Sequence, residues 1–239
     1  MKVYKIFPRL VFLSNNKVYK FFNNSKECED EINKINSSPF SEHFDSDTKY
    51  NMKFVKILHV DKYFYIMRPV KGLCLNDTKS IYDYKLAGSW LRIFHNFSYD
   101  EQSKKAFLFS DFDISHVYVN HNNNEITAID PGTGFGTIGE IENDISRLIV
   151  SLMQKKSFNV LILKQHINSF LDGYKVDKID YDKLDKHINE RIKKNTKKML
   201  KLNFSLKQLL IGKFLFIFSN LKYILVKKNI KKIINKTDL

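Results

Sequence analysis

The sequence predicts an α+β protein of two lobes, a small antiparallel-sheet N-terminal lobe and a mainly helical C-terminal lobe, closed by a basic amphipathic C-terminal tail. Three observations predict it. Short β-branched and aromatic runs punctuated by turn residues fill the first 70 residues. From residue 80 onward apolar residues mostly recur at helical spacing, apart from one hairpin. Residues 190–239 hold 14 Lys/Arg against Glu190 and Asp238, so +12 of the chain's net +14 sits in the last segment. The expected division is 1–70, 71–200 and 201–239.

The chain has 239 residues and 43% hydrophobic content, with 20 Phe and 12 Tyr, enough to bury a sizeable core and to exclude a disordered protein. Cys28 and Cys74 form neither a disulfide framework nor a metal motif and fit a reducing compartment. The first 16 residues lack an uninterrupted apolar region and a small-residue cleavage site, and are expected to be mature structure.

Residues 3–22 read as two or three strands, with VYKFF the clearest. Lys20 sits among its aromatics, where a snorkelling edge-strand lysine is one reading. Residues 26–36 place Cys28, Ile32 and Ile35 on one helical face, with Ser25 as the expected N-cap; 37–47 are expected to be loop. Residues 54–60 and 62–69 read as a hairpin about Asp61, completing a sheet of about five strands that carries one helix. Residues 80–97 form a helix burying Leu86, Trp90, Ile93 and Phe94, in which His95 is expected to pack rather than catalyse. Further helices are expected over 142–153, where Ile145, Leu148, Ile149 and Leu152 share a face, and over 158–171 and 181–200.

Residues 204–226 are strongly apolar, but Lys207, Lys213 and Lys222 interrupt them, leaving no run of the roughly 20 residues a membrane span requires. With KKNIKKIINK behind it, this stretch suits a helix lying on an anionic membrane surface; a terminal helix packed on the domain is the equal alternative. Nucleic acid is the weaker partner, because no zinc, helix-turn-helix or RNA-binding signature accompanies the charge.

Residues 108–136, LFSDFDISHVYVNHNNNEITAIDPGTGFG, organise the chemistry. Apolar segments 117–119 and 126–129 flank a polar turn at 120–124, and antiparallel pairing brings Asp111 and Asp130 to the same end of the hairpin. Two converging carboxylates suit a divalent cation and a base that orients a nucleophile; turn-capping aspartates are the bland alternative. Gly134, Gly136 and Gly139 satisfy G-x-G-x-x-G but follow an Asp-Pro-Gly turn rather than the first strand of a βαβ unit. Loop flexibility near a site is the expected use of these glycines.

The order of these features resembles the protein-kinase-like superfamily, in its branch of bacterial aminoglycoside and choline phosphotransferases and sugar or lipopolysaccharide kinases. FSDFDISHVYV is similar to that family's catalytic loop, H-G-D-x-x-x-x-N, and TAIDPG to its metal motif. The resemblance implies a bilobal protein-kinase-like fold binding ATP and Mg2+. It makes Asp111 the catalytic base, Asp130 the metal ligand, and His116 the occupant of the second metal-binding Asn position. Phe109 and Ser110 stand where the family has His and Gly. Lys20 corresponds to the strand lysine that grips nucleotide phosphates and Glu31, or less readily Glu29, to its helix partner. IMRPVKGLCL is similar to the hinge, so Met67, Arg68, Pro69 and Val70 would line the adenine pocket, and Asp144 would be structural. No glycine-rich loop precedes Lys20; the turn is Ser14-Asn15-Asn16-Lys17.

The function this implies is ATP-dependent phosphoryl transfer to a hydroxyl of a sugar, glycan or lipid-linked saccharide by a cytoplasmic protein, peripheral on the membrane through residues 201–239. Two alternatives stand beside it: a catalytically inactive relative that binds a nucleotide or partner, and a membrane- or nucleic-acid-binding protein acting through the tail.

Overall fold

The structure, a computed structural model, describes residues 2–5, 10–132, 134–155, 159–201 and 206–235, with side chains described outside 2–5, 196–201 and 206–216. Strands β1 (Lys2–Lys5), β2 (Val11–Ser14) and β3 (Lys17–Phe21) lead into helix α1 (Ser25–Asn36). The β2–β3 turn places Asn15 and Asn16 at φ 48° and 54°, the left-handed pair of a type I′ hairpin, which asparagine tolerates. Asn24, not Ser25, caps α1: its backbone is extended and its side chain accepts from the Glu27 N–H at 2.8 Å, whereas Ser25 already lies inside the helix. As the spacing predicts, Cys28, Ile32 and Ile35 are buried, and Glu31 is buried with them.

Strands β4 (Glu42–Asp45), β5 (Tyr50–Phe54), β6 (Ile57–Val60) and β7 (Phe64–Met67) follow. The first sheet, ordered β1-β2-β3-β7-β6, is antiparallel throughout, with three strands where the sequence predicts two or three and the expected hairpin about Asp61 as β6 and β7. Residues 37–47 are not all loop, because β4 lies within them. Its Glu42, His43 and Phe44 are exposed and only Asp45 is buried, so it is held to β5 by backbone pairing and leaves no alternating apolar signature. The stretch 54–60 is not one strand: Phe54 is the last residue of β5, and β6, which pairs with β7 in the first sheet, begins only at Ile57.

Beyond β8 (Leu73–Cys74) come α2 (Ile81–Asn96), β9 (Lys105–Phe107), and the hairpin strands β10 (Val117–Asn120) and β11 (Glu125–Ala128). The second sheet runs β4-β5-β11-β10-β8, with β5 parallel to β11. That parallel pair joins the chain after α1 to the hairpin carrying Asp111 and Asp130 at one end. Strand β12 (Ile138–Glu140) pairs with β9.

Helices α3 (Glu142–Lys155), α4 (Val160–Tyr174), α5 (Tyr181–Lys201) and α6 (Leu206–Ile234) complete the helical half. Ile145, Leu148, Ile149 and Leu152 are fully buried, as are Leu86, Trp90 and Phe94. Helices α2 and α4 cross where a Cβ on Gly88 would stand 2.0 Å from the Phe170 carbonyl oxygen, and one on Gly173 2.0 Å from that of Lys85. Only glycine allows two backbones this close. His95 is packed as expected, Nδ1 2.7 Å from the Tyr174 hydroxyl and Nε2 3.2 Å from Asp144 Oδ2.

The terminal segment is not a separate basic amphipathic tail. Tyr223, Val226, Ile230 and Ile234 of α6 are buried in the core shared with the other helices, and buried Lys222 donates to the Met153 carbonyl at 2.7 Å. The helix is apolar on two faces, since Ile217, Leu221, Ile224 and Leu225 are exposed. Among the described residues no helix is long and apolar enough to cross a membrane.

Candidate active site

Lys20 is carried inward by the alternation of β3, whose Val18 and Lys20 are buried while Tyr19 and Phe21 are only half-buried. A buried ammonium is costly without partners. Its Nζ lies 2.6 Å from Glu31 Oε1 and 2.6 Å from Asp130 Oδ1. Glu31 is also supported by Tyr65, the residue opposite Lys20 on β7, whose hydroxyl donates to Glu31 Oε1 at 2.7 Å. Lys20 is therefore no snorkelling edge residue: β2 and β7 flank its strand, and its charge joins α1 to the loop after β11.

Asp111 and Asp130 each follow or occupy a left-handed backbone position, Ser110 at φ 66° and Asp130 at φ 59°. For residues with a Cβ this costs about 1 kcal/mol each. The buried carboxylate of Asp144 offsets it at the first position, accepting from the Phe109 N–H at 2.6 Å and the Ser110 N–H at 2.8 Å. Charge-assisted bonds of this kind are among the stronger ones. Phe109 is fully buried and packs edge-on to Trp90, Phe94, Phe112 and Phe135. An aromatic core thus takes the place of a polar side chain there.

Of the glycines after Asp130, Gly132 and Gly134 serve close approach and Gly136 a left-handed backbone. A Cβ on Gly132 would meet the Ser110 backbone carbon at 2.7 Å, one on Gly134 the Ser110 Oγ at 2.6 Å, and Gly136 requires φ 76°. Gly132 and Gly134 let the segment after Asp130 lie against Ser110, the residue before Asp111. Gly139 belongs to strand β12 and not to a helix N-terminus, so the dinucleotide pattern has no structural counterpart.

His116 lies between the two acids. Its Nδ1 is 2.9 Å from the Asp111 carbonyl oxygen and 3.8 Å from Asp111 Oδ2, and its Nε2 is 3.7 Å from Asp130 Oδ2. A carbonyl only accepts, so Nδ1 carries the hydrogen, and in the neutral ring Nε2 presents its lone pair toward Asp130. A cation at this point would meet one carboxylate and one imidazole nitrogen, and among the described residues no cluster of three metal-ligating side chains exists. Magnesium keeps several waters and takes phosphate oxygens in such sites, so one ion held chiefly by Asp130 fits; an all-protein cage does not.

Asp111 is further engaged from α3, where Arg147 Nε lies 2.6 Å from its Oδ1. Burial raises the Asp111 carboxyl above its ordinary range, against the pull of Arg147 and His116. Asp113 faces Lys155 at 2.6 Å and accepts from Ser115. Burial pushes its carboxyl up, but Lys155 and Ser115 outweigh this and hold it below the usual range.

The residues expected to form the hinge follow directly from β7, where Met67 stands opposite Val18 of β3. Met67 ends β7, and Arg68, Pro69 and Val70 line a cavity of 420 Å³ shared with Lys53, Lys56, Glu125 and Thr127. That cavity's lining includes none of Lys20, Glu31, Asp111 or Asp130. Sequence reasoning missed Tyr65 and Arg147. Tyr65 is one aromatic among several in its strand, and Arg147 reads as the polar face of an amphipathic helix. Nothing in the linear pattern connects either to the acids.

No family model matches the chain, and no curated protein matches it in sequence. Solved structures share its fold at low identity. Amicoumacin kinase hAmiN, in complex with AMP-PNP, Ca2+ and Ami, superposes with a TM-score of 0.61 at 9% identity over 92% of this chain and 87% of that one. Aminoglycoside phosphotransferase APH(3'')-Id from Streptomyces rimosus gives 0.58 at 10% identity over 78% and 90%. The GDP complex of aminoglycoside 2'-phosphotransferase-IIIa gives 0.58 at 16% identity over 91% of both chains. The chain shares the protein-kinase-like fold of these kinase and phosphotransferase structures.

Proposed function

We propose that the protein is an ATP- and Mg2+-dependent phosphotransferase acting on a hydroxyl of a sugar, glycan or lipid-linked saccharide. The observation that carries it is the convergence of Lys20, Glu31 and Asp130 in one ion-pair cluster, with His116 between Asp130 and Asp111. Phosphoryl transfer needs positioned positive charge and an oriented hydroxyl more than covalent chemistry. Lys20, held by Glu31, would bind the nucleotide phosphates, and Asp130 with His116 would hold the metal. Held there, a divalent cation would supply positive charge to offset the negative charge that develops on the phosphates. Asp111 would accept a hydrogen bond from the acceptor hydroxyl, align it, and take its proton late. The test is ADP formation from ATP with a panel of neutral and anionic sugars. Asp111→Asn should lower turnover by about 100-fold or more, the usual weight of a general base; equal turnover in both removes that role.

A second reading, an inactive nucleotide-binding relative, is favoured by one feature: Asp111 is already paired with Arg147 and has histidine beside it. It predicts AMP-PNP binding with no ADP formed with any sugar of the panel. Peripheral membrane contact through α6 is supported by its exposed face. There Ile217, Leu221, Ile224 and Leu225 are followed on the same side by Lys228, Lys231 and Lys232. Retention on vesicles containing anionic lipid, lost on neutral vesicles and reduced by Leu221→Asp, is the expected outcome; equal retention on both would remove the electrostatic part.

A further inference from the structure

Two of the connections that pass between the sheets meet at one cavity. Residues 55 and 56 join β5 of the second sheet to β6 of the first, and residues 68–72 lead from β7 of the first to β8 of the second. Lys56 from one connection, and Arg68 and Lys71 from the other, line the 420 Å³ cavity together with Lys53 of β5. That volume falls within the roughly 300–1,000 Å³ of ordinary small-ligand sites. Buried Phe54 and Val55 also line it and tie its wall to the core.

The charges around this cavity do not balance. Among the described residues Glu42 and Glu125 are the only carboxylates in the lining, and both serve Lys53. The Lys53 Nζ lies 2.5 Å from Glu125 Oε1 and 3.4 Å from Glu42 Oε1. The side chains of Lys56, Arg68 and Lys71 are exposed, and among the described residues they make no ion pair and no hydrogen bond. Three cations without a counter-charge therefore stand around one concave site. Like charges so placed repel one another, and an anion between them removes the repulsion. Lysine supplies a point charge for a phosphate, and arginine's planar fork takes two of its oxygens in parallel. An adenine ring is a poor match, because a flat and largely apolar ring gains little from six charged neighbours.

We infer that this cavity binds a small anion with two or more linked phosphate groups, held by Lys56, Arg68 and Lys71 across the seam between the two sheets. Occupied, the site ties the β5–β6 connection to the β7–β8 connection and so braces the junction of the sheets, as an effector would. It does not depend on the phosphotransferase reading, because Lys20, Glu31, Asp111 and Asp130 are all absent from the lining. A free oligophosphate and the phosphate chain of a nucleotide offer the same chemistry, and the experiment separates these two sources.

The test is calorimetric titration of the full-length protein with tripolyphosphate in Mg2+-free buffer, where one saturable binding event is expected. Lys56→Met and Lys71→Met should each weaken it by about tenfold or more, the worth of a charge-assisted contact. Lys228→Met, at an exposed position on α6, should leave it unchanged. Urea midpoints equal to that of the parent exclude loss of folding as the cause. Absence of a saturable event, or unchanged affinity in either cavity variant, overturns the inference. So does an equal loss in Lys228→Met, which would mean diffuse attraction to a basic surface. The titration is then repeated with AMP-PNP and Mg2+ at saturation. Retained binding of tripolyphosphate supports the site and assigns it to a free oligophosphate. Competition by AMP-PNP, with AMP-PNP itself bound more weakly by Lys56→Met and Lys71→Met, supports the site and assigns it to a nucleotide. Competition by AMP-PNP that both variants bind as the parent does overturns the inference and leaves the kinase reading standing.

Discussion

Lys20 shows how one side chain ties distant parts of the chain together. Its ammonium is buried against Glu31 and Asp130, and Glu31 has the Tyr65 hydroxyl as a further donor. Lys20→Ala would leave the Glu31 carboxylate buried with its charge uncompensated, a loss of about 3–5 kcal/mol. Urea denaturation should show it, and adding Glu31→Leu should restore part of it because the orphaned charge is then gone too. Glu142 offers a pH-dependent case. Its Oε1 accepts from the Asp180 N–H at 2.9 Å while its Oε2 is buried without a hydrogen-bond partner, and burial raises its carboxyl above the usual range. Because the folded pKa lies above the unfolded one, the folded state favours the protonated acid. That contribution is full below the unfolded pKa of about 4.3 and is lost as pH rises through the raised folded value. Glu142→Gln keeps the acceptor for Asp180 and removes the charge, so it should be at least as stable as the parent at neutral pH. A urea midpoint that falls at pH 7 but not at pH 4 would contradict this.

At the scale of elements, the helical half depends on close approach. The α2–α4 crossing brings Gly88 and Gly173 against opposing carbonyls at distances no Cβ can occupy. Gly88→Ala should force the helices apart and destabilise the protein by about 1–3 kcal/mol or more, read as a lowered urea midpoint. An unchanged midpoint would mean the crossing tolerates a methyl. The hairpin strands β10 and β11 were legible in sequence, because alternation about a polar turn is a local pattern. The parallel pairing of β5 with β11 was not. Strand β5 alternates buried Tyr50, Met52 and Phe54 with Asn51 and Lys53, yet its partner lies more than 70 residues away, and local pattern cannot name a partner. Ser110 illustrates the same limit. Glycine at that place in the related motif hints at an unusual backbone, but only the fold shows a serine held at φ 66° by Asp144.

On the scale of the whole molecule, Lys20 and Glu31 come from the sheet-rich half, and Asp111, His116 and Asp130 from the hairpin region, so a ligand gripped by both should stabilise the entire chain. If AMP-PNP with Mg2+ engages Lys20, thermal unfolding should shift upward with ligand concentration, by about 2.7 kcal/mol of stability at 100 times the dissociation constant. The shift should vanish in Lys20→Met; a Lys20-independent shift would place the nucleotide elsewhere, with the hinge-side cavity the first position to examine. Helix α6 belongs to this scale as well. The composition of residues 204–239 equally suited a surface-bound helix and a packed one, and burial of Tyr223, Val226, Ile230 and Ile234 packs one face of α6 on the core while Ile217, Leu221, Ile224 and Leu225 stay exposed on another.

The sequence by itself determined the α+β class, an antiparallel sheet of about five strands at the start of the chain, the helical faces and the order of charged residues along the chain. These are local properties, governed by side-chain periodicity and turn chemistry. It also determined which residue types could serve chemistry. Tertiary structure alone decided which of them meet. It brought Lys20 to Asp130 across the two halves, put His116 between the acids, buried Tyr65 behind Glu31, and set Arg147 against Asp111. Such contacts come from packing between segments remote in sequence, where charge and hydrogen-bonding needs are satisfied only once a common core has formed.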